Sequence, residues 1–196
     1  IRLLVTTDEE IGGFQGAKEL FNMYESHPDD FAIAVEPVDG IIVKSFGILR
    51  FSIDIHNQSS HTKTGTGNAI NTFCDLLLKI RTHLEQYEAD RDLGPSLLSP
   101  TYVRAGSRSE TGVNPGHIGS SIEIRTAPKI DPDILFKEIE RLVVSTEDEL
   151  RLNQPEARIE LTDLISCPPL NTNDSNVHIR KLKKLGYGVG FSRGSS

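Results

Sequence analysis

Three acidic side chains stand together in "TTDEEIGGF", residues 6–14, where Asp8, Glu9 and Glu10 are followed almost at once by Gly12 and Gly13. A further carboxylate, Glu36, sits in "VEP", residues 35–37. Carboxylates drawn into one place repel one another unless a cation joins them or their pKa values rise. A divalent metal is the economical partner for such a set. The alternative leaves the acids flared apart and solvated.

The elements around these acids favour a gathering. Asp, Glu, Glu could open a helix at its positive end, but Gly12 and Gly13 would fall inside the second turn, so the helix is better begun at Gln15 and run through "QGAKELFNMYES". The acidic cluster then occupies a turn at the end of a short apolar strand, "LLVTT". A second apolar strand, Phe31 to Val35, ends at Glu36 and is closed by Pro37. Strand, helix and strand with short connections form a βαβ unit of parallel strands with a right-handed crossover. Glu9, Glu10 and Glu36 thereby face one sheet edge, beyond the carboxyl ends of the strands, where open α/β folds build their sites.

The rest of the composition narrows the function. A formal charge of −7 over 196 residues and a single basic run, "RKLKK" at 180–184, argue against nucleic acid or an anionic membrane as partner. That run reads as the solvated face of a short helix. No segment is apolar enough to span a bilayer and none resembles a signal peptide. Two cysteines, Cys74 and Cys167, make neither a metal motif nor a disulfide framework, which points to the reducing cytoplasm. The chain begins at Ile1 inside an apolar run and ends at "GFSRGSS", so it is expected to be a piece of something longer.

Between Gly47 and Pro169 the rhythm changes. "ILRFSIDIHN" alternates, with Leu49, Phe51, Ile53 and Ile55 on one face and Arg50, Ser52, Asp54 and His56 on the other. "NAINTFCDLLLKIRTHLEQY" places Ile70, Phe73, Leu77, Ile80, Leu84 and Tyr87 on a helical stripe. After the loop "EADRDLGPSLLSP" come two strands, "TYVRAGSRSETG" and "HIGSSIEIRTAP", the latter with Ile118, Ile122 and Ile124 inward. "DPDILFKEIERLVVST" is a helix with Asp131 as N-cap, Pro132 at its first position and Leu135, Ile139, Leu142 and Val143 inward. "RIELTDLISC" closes the series as a fourth strand. The order βαββαβ is the ferredoxin-like split arrangement, with both helices on one face of the sheet. The expected organisation is an α/β unit over 1–45, an inserted α+β domain over 46–169, and a return to the first unit over 170–196, opening with "NVHIRKLKKLG" as a helix.

Taken in order, "TTDEEIGGFQGAKEL", "VEP", "SSHTKTGTGNAI" and "IEIRTAP" resemble the M20 family of metallopeptidases and deacylases, which includes acetylornithine deacetylase, succinyl-diaminopimelate desuccinylase and glutamate-releasing carboxypeptidases. The likeness runs over nearly the whole chain. It implies a zinc hydrolase domain carrying a ferredoxin-like lid through which two subunits form a homodimer. It also implies that Glu9 is the general base acting on a water shared by two zinc ions, and that Glu10 and Glu36 are metal ligands. Co2+ or Mn2+ could stand in for Zn2+.

By the same resemblance, His61 in "SSHT" is the lid histidine that donates to the developing oxyanion in the partner's site. An exposed loop histidine is its plain alternative. Arg125 matches the lid arginine that grips a substrate carboxylate with its planar fork; an exposed strand arginine would look the same. Asn114 corresponds to a substrate-binding turn asparagine, in a turn, "NPGH", shorter than the family's. Asn68 matches a family asparagine and is equally an N-cap. "TKTGTGN" lacks the lysine and hydroxyl residue that a phosphate loop requires after its last glycine.

The implied reaction is hydrolysis of the amide bond of an N-acyl amino acid or small peptide by metal-activated water. The family's upstream H-x-D motif, its bridging aspartate and its C-terminal histidine are missing from this sequence, so the 196 residues are expected to be inactive by themselves. The competing reading is a non-catalytic dimerisation or binding module that kept the lid fold and lost the chemistry.

Overall fold

The structure, a computed structural model, describes residues 40–192 apart from Thr66 and Asp174, together with Gly16, Glu19, Asn22 and Met23. Glu19, Asn22 and Met23 are helical, within the helix expected from Gln15. The expected strands "LLVTT" and Phe31–Val35 lie outside the described residues.

From residue 41 the elements run β1 (Ile41–Ser45), β2 (Gly47–His56), β3 (Ser60–His61), α1 (Ala69–Leu84), β4 (Leu97–Ala105), β5 (Val113–Asn114), β6 (His117–Thr126), α2 (Pro132–Arg151), β7 (Arg158–Cys167), α3 (Val177–Lys184) and β8 (Val189–Ser192). Strands β4, β6, β2 and β7 lie side by side in that order, every neighbour antiparallel. β2 and β6 pair without interruption from Gly47↔Thr126 to His56↔His117.

The alternation in these central strands decides where the helices go. Leu49, Phe51, Ile53 and Ile55 from β2, and Ile118, Ile122 and Ile124 from β6, are fully buried. Burying the alternate set with Arg50 and Asp54 instead would strand charge in an apolar interior. Both helices therefore pack on one face. α1 contributes Phe73, Leu76, Ile80 and Leu84, and α2 contributes Leu135, Ile139 and Val143 to the same core. Phe51 and Phe136 meet edge to face with centroids 5.7 Å apart.

Each helix starts on a side-chain cap. Asn68 Oδ1 accepts from the amides of Ile70 and Asn71, and Asp131 Oδ1 from those of Asp133 and Ile134, with Pro132 at the first helical position. The stripe of α1 differs from expectation. Its buried line is Ala69, Thr72, Phe73, Leu76, Ile80 and Leu84, whereas Ile70 is exposed and Leu77 only partly covered. α2 runs past the expected "VVST" to Arg151 because Glu147 and Arg151 pair one turn apart and Thr146 is buried against the core.

β4 begins at Leu97, inside the segment expected to be loop. Pro100 is tolerated because β4 is an edge strand and its register slips between Pro100 and Tyr102. β7 is also irregular: its pairing with β2 shifts between Arg50 and Ser52, and Asp163 takes a left-handed φ of 55° there. The alternation read in "RIELTDLISC" breaks at that bulge, and Leu164 points to solvent.

β1 and β8 form a separate parallel pair, Ile41↔Val189 to Ser45↔Ser192. Only Phe46, itself buried, separates β1 from β2. Lys44 reaches from β1 to the loop after α1, with Nζ 2.5 Å from Asp92 and 3.2 Å from Asp90. Burial opposes ionisation of Asp90, but the amides of Asp92 and Leu93 and the Lys44 ammonium outweigh it and hold the carboxyl below the usual range. α3 buries Ile179 and exposes Lys181, Lys183 and Lys184, as expected of a solvated basic face. Among the described residues, no helix is long and apolar enough to cross a membrane.

Candidate functional site

His61 is carried by a two-residue ribbon. After β2 the chain turns back, and the Asn57 amide donates to the carbonyl of Gly116 at 2.6 Å. A Cβ on Gly116 would fall 2.5 Å from the backbone carbonyl oxygen of Asn57, so only glycine allows the approach. Ser60 and His61 of β3 then pair antiparallel with Asn114 and Val113 of β5. The ribbon is tied to the head of α1: Asn68 Nδ2 donates to Asn114 Oδ1 (3.4 Å), and Asn114 Nδ2 donates to Ser60 Oγ (3.1 Å). Asn68 thus caps the helix with its oxygen and anchors the ribbon with its nitrogen.

Beyond the ribbon, His61 is exposed and its loop folds around it. The Thr62 amide donates to Gly112 O (2.9 Å), and both the amide and the hydroxyl of Thr64 donate to His61 O (2.8 and 2.7 Å). The Lys63 amide donates to His61 Nδ1 at 3.1 Å.

Arg125 lies at the other end of β6, on the helix-free face of the sheet. Its Nε donates to Glu123 Oε1 (2.8 Å), while Arg50 of β2 donates through Nη2 (2.6 Å) and Nε (3.1 Å) to Glu123 Oε2. Burial pushes the Glu123 carboxyl up, but the Arg50 hydrogen bond and the charges of Arg125 and Arg50 outweigh it and hold the group below the ordinary carboxylate range. Two guanidiniums thus share one carboxylate, and a planar guanidinium fork is the group that grips an anion such as a carboxylate.

The two groups are far apart. Arg125 stands opposite Ile48 and His117 opposite His56, so they are roughly 26 Å apart along the strands at about 3.3 Å per residue. His61 lies beyond the His56 end. Asn114 therefore joins His61, and Arg125 joins neither. Glu9, Glu10 and Glu36 lie outside the described residues. Among the described residues, no three His, Cys, Asp or Glu side chains are grouped so as to hold a metal ion.

Three participants were not singled out by the sequence. Arg50 and Glu123 belong to the wet faces of β2 and β6, and only the register Arg50↔Glu123 turns them into the holder of Arg125. The Lys63 amide carries no side-chain signature at all. Elsewhere, His56 and His117 stack across the strand pair with ring centroids 4.6 Å apart.

Comparison with known proteins identifies the family and the fold. The family model described as peptidase dimerisation domain matches residues 43–150, more than half of the chain. An aminopeptidase PepT from Bacillus cereus superposes with a TM-score of 0.67 at 16% identity, over 97% of this chain and 50% of its own. A tripeptidase from Staphylococcus aureus gives 0.64 at 18% identity with the same coverage. An amidase of the hydantoinase/carbamoylase family from Burkholderia phymatum gives 0.54 at 17%, covering 80% of this chain and 39% of its own. The chain thus spans half or less of the length of these structures. No curated protein matches it.

Proposed function

Because the chain belongs to the M20 peptidase family through its peptidase dimerisation domain, we propose that it forms part of a homodimeric, dinuclear zinc-dependent amidohydrolase acting on N-acyl amino acids or small peptides. In this reading residues 46–169 are a ferredoxin-like lid, and residues 1–45 and 170–196 belong to the catalytic domain. Glu10 and Glu36 would hold metal there, and a bound divalent cation supplies acidified water and a polarised amide carbonyl. Glu9 takes the proton of the attacking water. Arg125, braced by Glu123 and Arg50, grips a substrate carboxylate. His61 donates to the oxygen on which negative charge develops, with Asn114 beside it.

The observation that carries the dimeric reading is that Arg125 sits at one end of the β2–β6 pair and His61 on the ribbon that follows the other end. A fully extended tripeptide spans only about 10 Å, well short of the roughly 26 Å that separates the two ends of β2 and β6. Both side chains can serve one small substrate only if they come from different subunits, and a two-fold interface repeats that exchange in both sites.

Subunit mixing in the full-length enzyme tests this. His61→Ala and Arg125→Ala homodimers should each be nearly inactive. Co-refolded in equal amounts they should recover about a quarter of wild-type activity, since half the dimers are mixed and each mixed dimer has one intact site. Recovery no greater than the sum of the two separate variants sinks the shared site. Full activity of His61→Ala alone sinks its catalytic role.

A further inference from the structure

We propose that the backbone amide of Lys63 is a positioning group that locks His61 as its Nε2–H tautomer, so that the ring meets its ligand as a hydrogen-bond donor and not as a base. The inference rests on the reading of His61 as a site residue and adds what that reading leaves open, the protonation pattern of the ring and what sets it.

A backbone N–H can only donate. The ring nitrogen that accepts from it must be unprotonated, and in a neutral imidazole the proton then sits on the other nitrogen. Lys63 N–H points at Nδ1 from 3.1 Å, so Nε2 carries the hydrogen. The loop holds this geometry from several sides. Thr64 binds the His61 carbonyl twice, closing the turn that aims the Lys63 amide back at the ring, and Thr62 is fixed to Gly112. Ser60, one residue earlier, is held by Asn114.

Gly112 completes the arrangement. Its φ of +81° favours glycine, and a Cβ there would touch Nε2 at 3.8 Å. His61 is exposed, and Nε2 has no hydrogen-bond partner among the described residues. The ligand that fits an exposed, preoriented N–H is an oxygen with a lone pair, a carbonyl or a carboxylate. A group that must lose a proton finds no acceptor here.

The test uses the chain labelled with 15N in its histidines. Long-range 1H–15N correlation spectra at about pH 8, where an ordinary imidazole is neutral, should show His61 with a protonated Nε2 and a bare Nδ1. Lys63→Ala keeps the amide and should leave the pattern unchanged. Lys63→Pro removes the donor, and the two His61 nitrogens should move toward tautomer-averaged positions, with a several-fold rise in the Nδ1–H form. Unmoved signals from the remaining histidines report that the variant is folded.

A wild-type spectrum with protonated Nδ1 overturns the proposal, as does an unchanged pattern in folded Lys63→Pro. If the proline disturbs the loop, hydrogen exchange of the Lys63 amide decides: protection in the wild type that is lost in His61→Ala supports the bond, and equal exchange in both overturns it. The spectra do not depend on turnover. An active His61→Ala enzyme would therefore remove the catalytic reading and leave the lock standing.

Discussion

Glu138 of α2 shows how much a single side chain can couple here. It accepts hydrogen bonds from Tyr87 and His83, which lie at and just beyond the end of α1, the histidine at 2.9 Å. The Tyr87 and His83 hydrogen bonds hold its carboxyl below the usual range against the opposing effect of burial, and the charges of His83 and Arg141 add to them. A depressed carboxylate contributes stability above its unfolded pKa of about 4.3 and loses it as pH falls through the lower folded value. For Tyr87 the sign reverses. Burial and the bond to Glu138 raise its phenol from 10.0 to about 12, so its contribution is complete below about pH 10 and fades as pH approaches 12. Tyr87→Phe should cost about 1 kcal/mol at neutral pH and flatten the fall in stability between about pH 10 and pH 12. Urea unfolding across that range checks both.

At the scale of elements, the sequence was most legible where one face is buried and the other wet. β2 and β6 read correctly from their alternation because a slip of one residue would exchange Leu49 and Phe51 for Arg50 and Ser52 in the core. The caps Asn68 and Asp131 were legible for a local reason, since each binds amides two and three residues ahead. What depends on register was hidden. Nothing in "EADRDLGPSLLSP" announces that its second half pairs with β6, and the β3–β5 ribbon is too short to show a period. The stripe of α1 was misplaced by a fraction of a turn, a difference that substitution can measure. Leu76→Ala, at a fully buried position, should destabilise by about 2–5 kcal/mol. Leu78→Ala, at a position 57% exposed, should stay within about 0.5 kcal/mol of wild type. Similar losses for both would put the helix face elsewhere.

For the molecule as a whole, the candidate residues were legible as types and motifs, but their distribution between two distant groups was not. That distribution depends on strand register and sheet length, which no local pattern encodes. The same holds for Lys44, an unremarkable residue in "IIVKSF" that joins the β1–β8 pair to the loop beyond α1 through Asp90 and Asp92. Lys44→Met leaves Asp90 and Asp92 without their counter-charge. It should speed hydrogen exchange at the Ile41 amide, which donates to Gly188 O, while the β2–β6 ladder keeps its protection. Unchanged exchange at Ile41 would mean that the strands hold together without the ion pair.

The parallel pairing of β1 with β8 also favours an order of events during folding. Its strands are separated by about 150 residues, and a chain that long closes only slowly. Once β2 and β7 have paired, Ile48 lies opposite Cys167, and the two connections to β1 and β8 start from neighbouring points. The remaining loop then shrinks to about two dozen residues, lowering the closure entropy by about 1.5 kcal/mol. The interposed unit thus acts as a clasp that brings distant strands within reach, and β1 and β8 are expected to assemble after it.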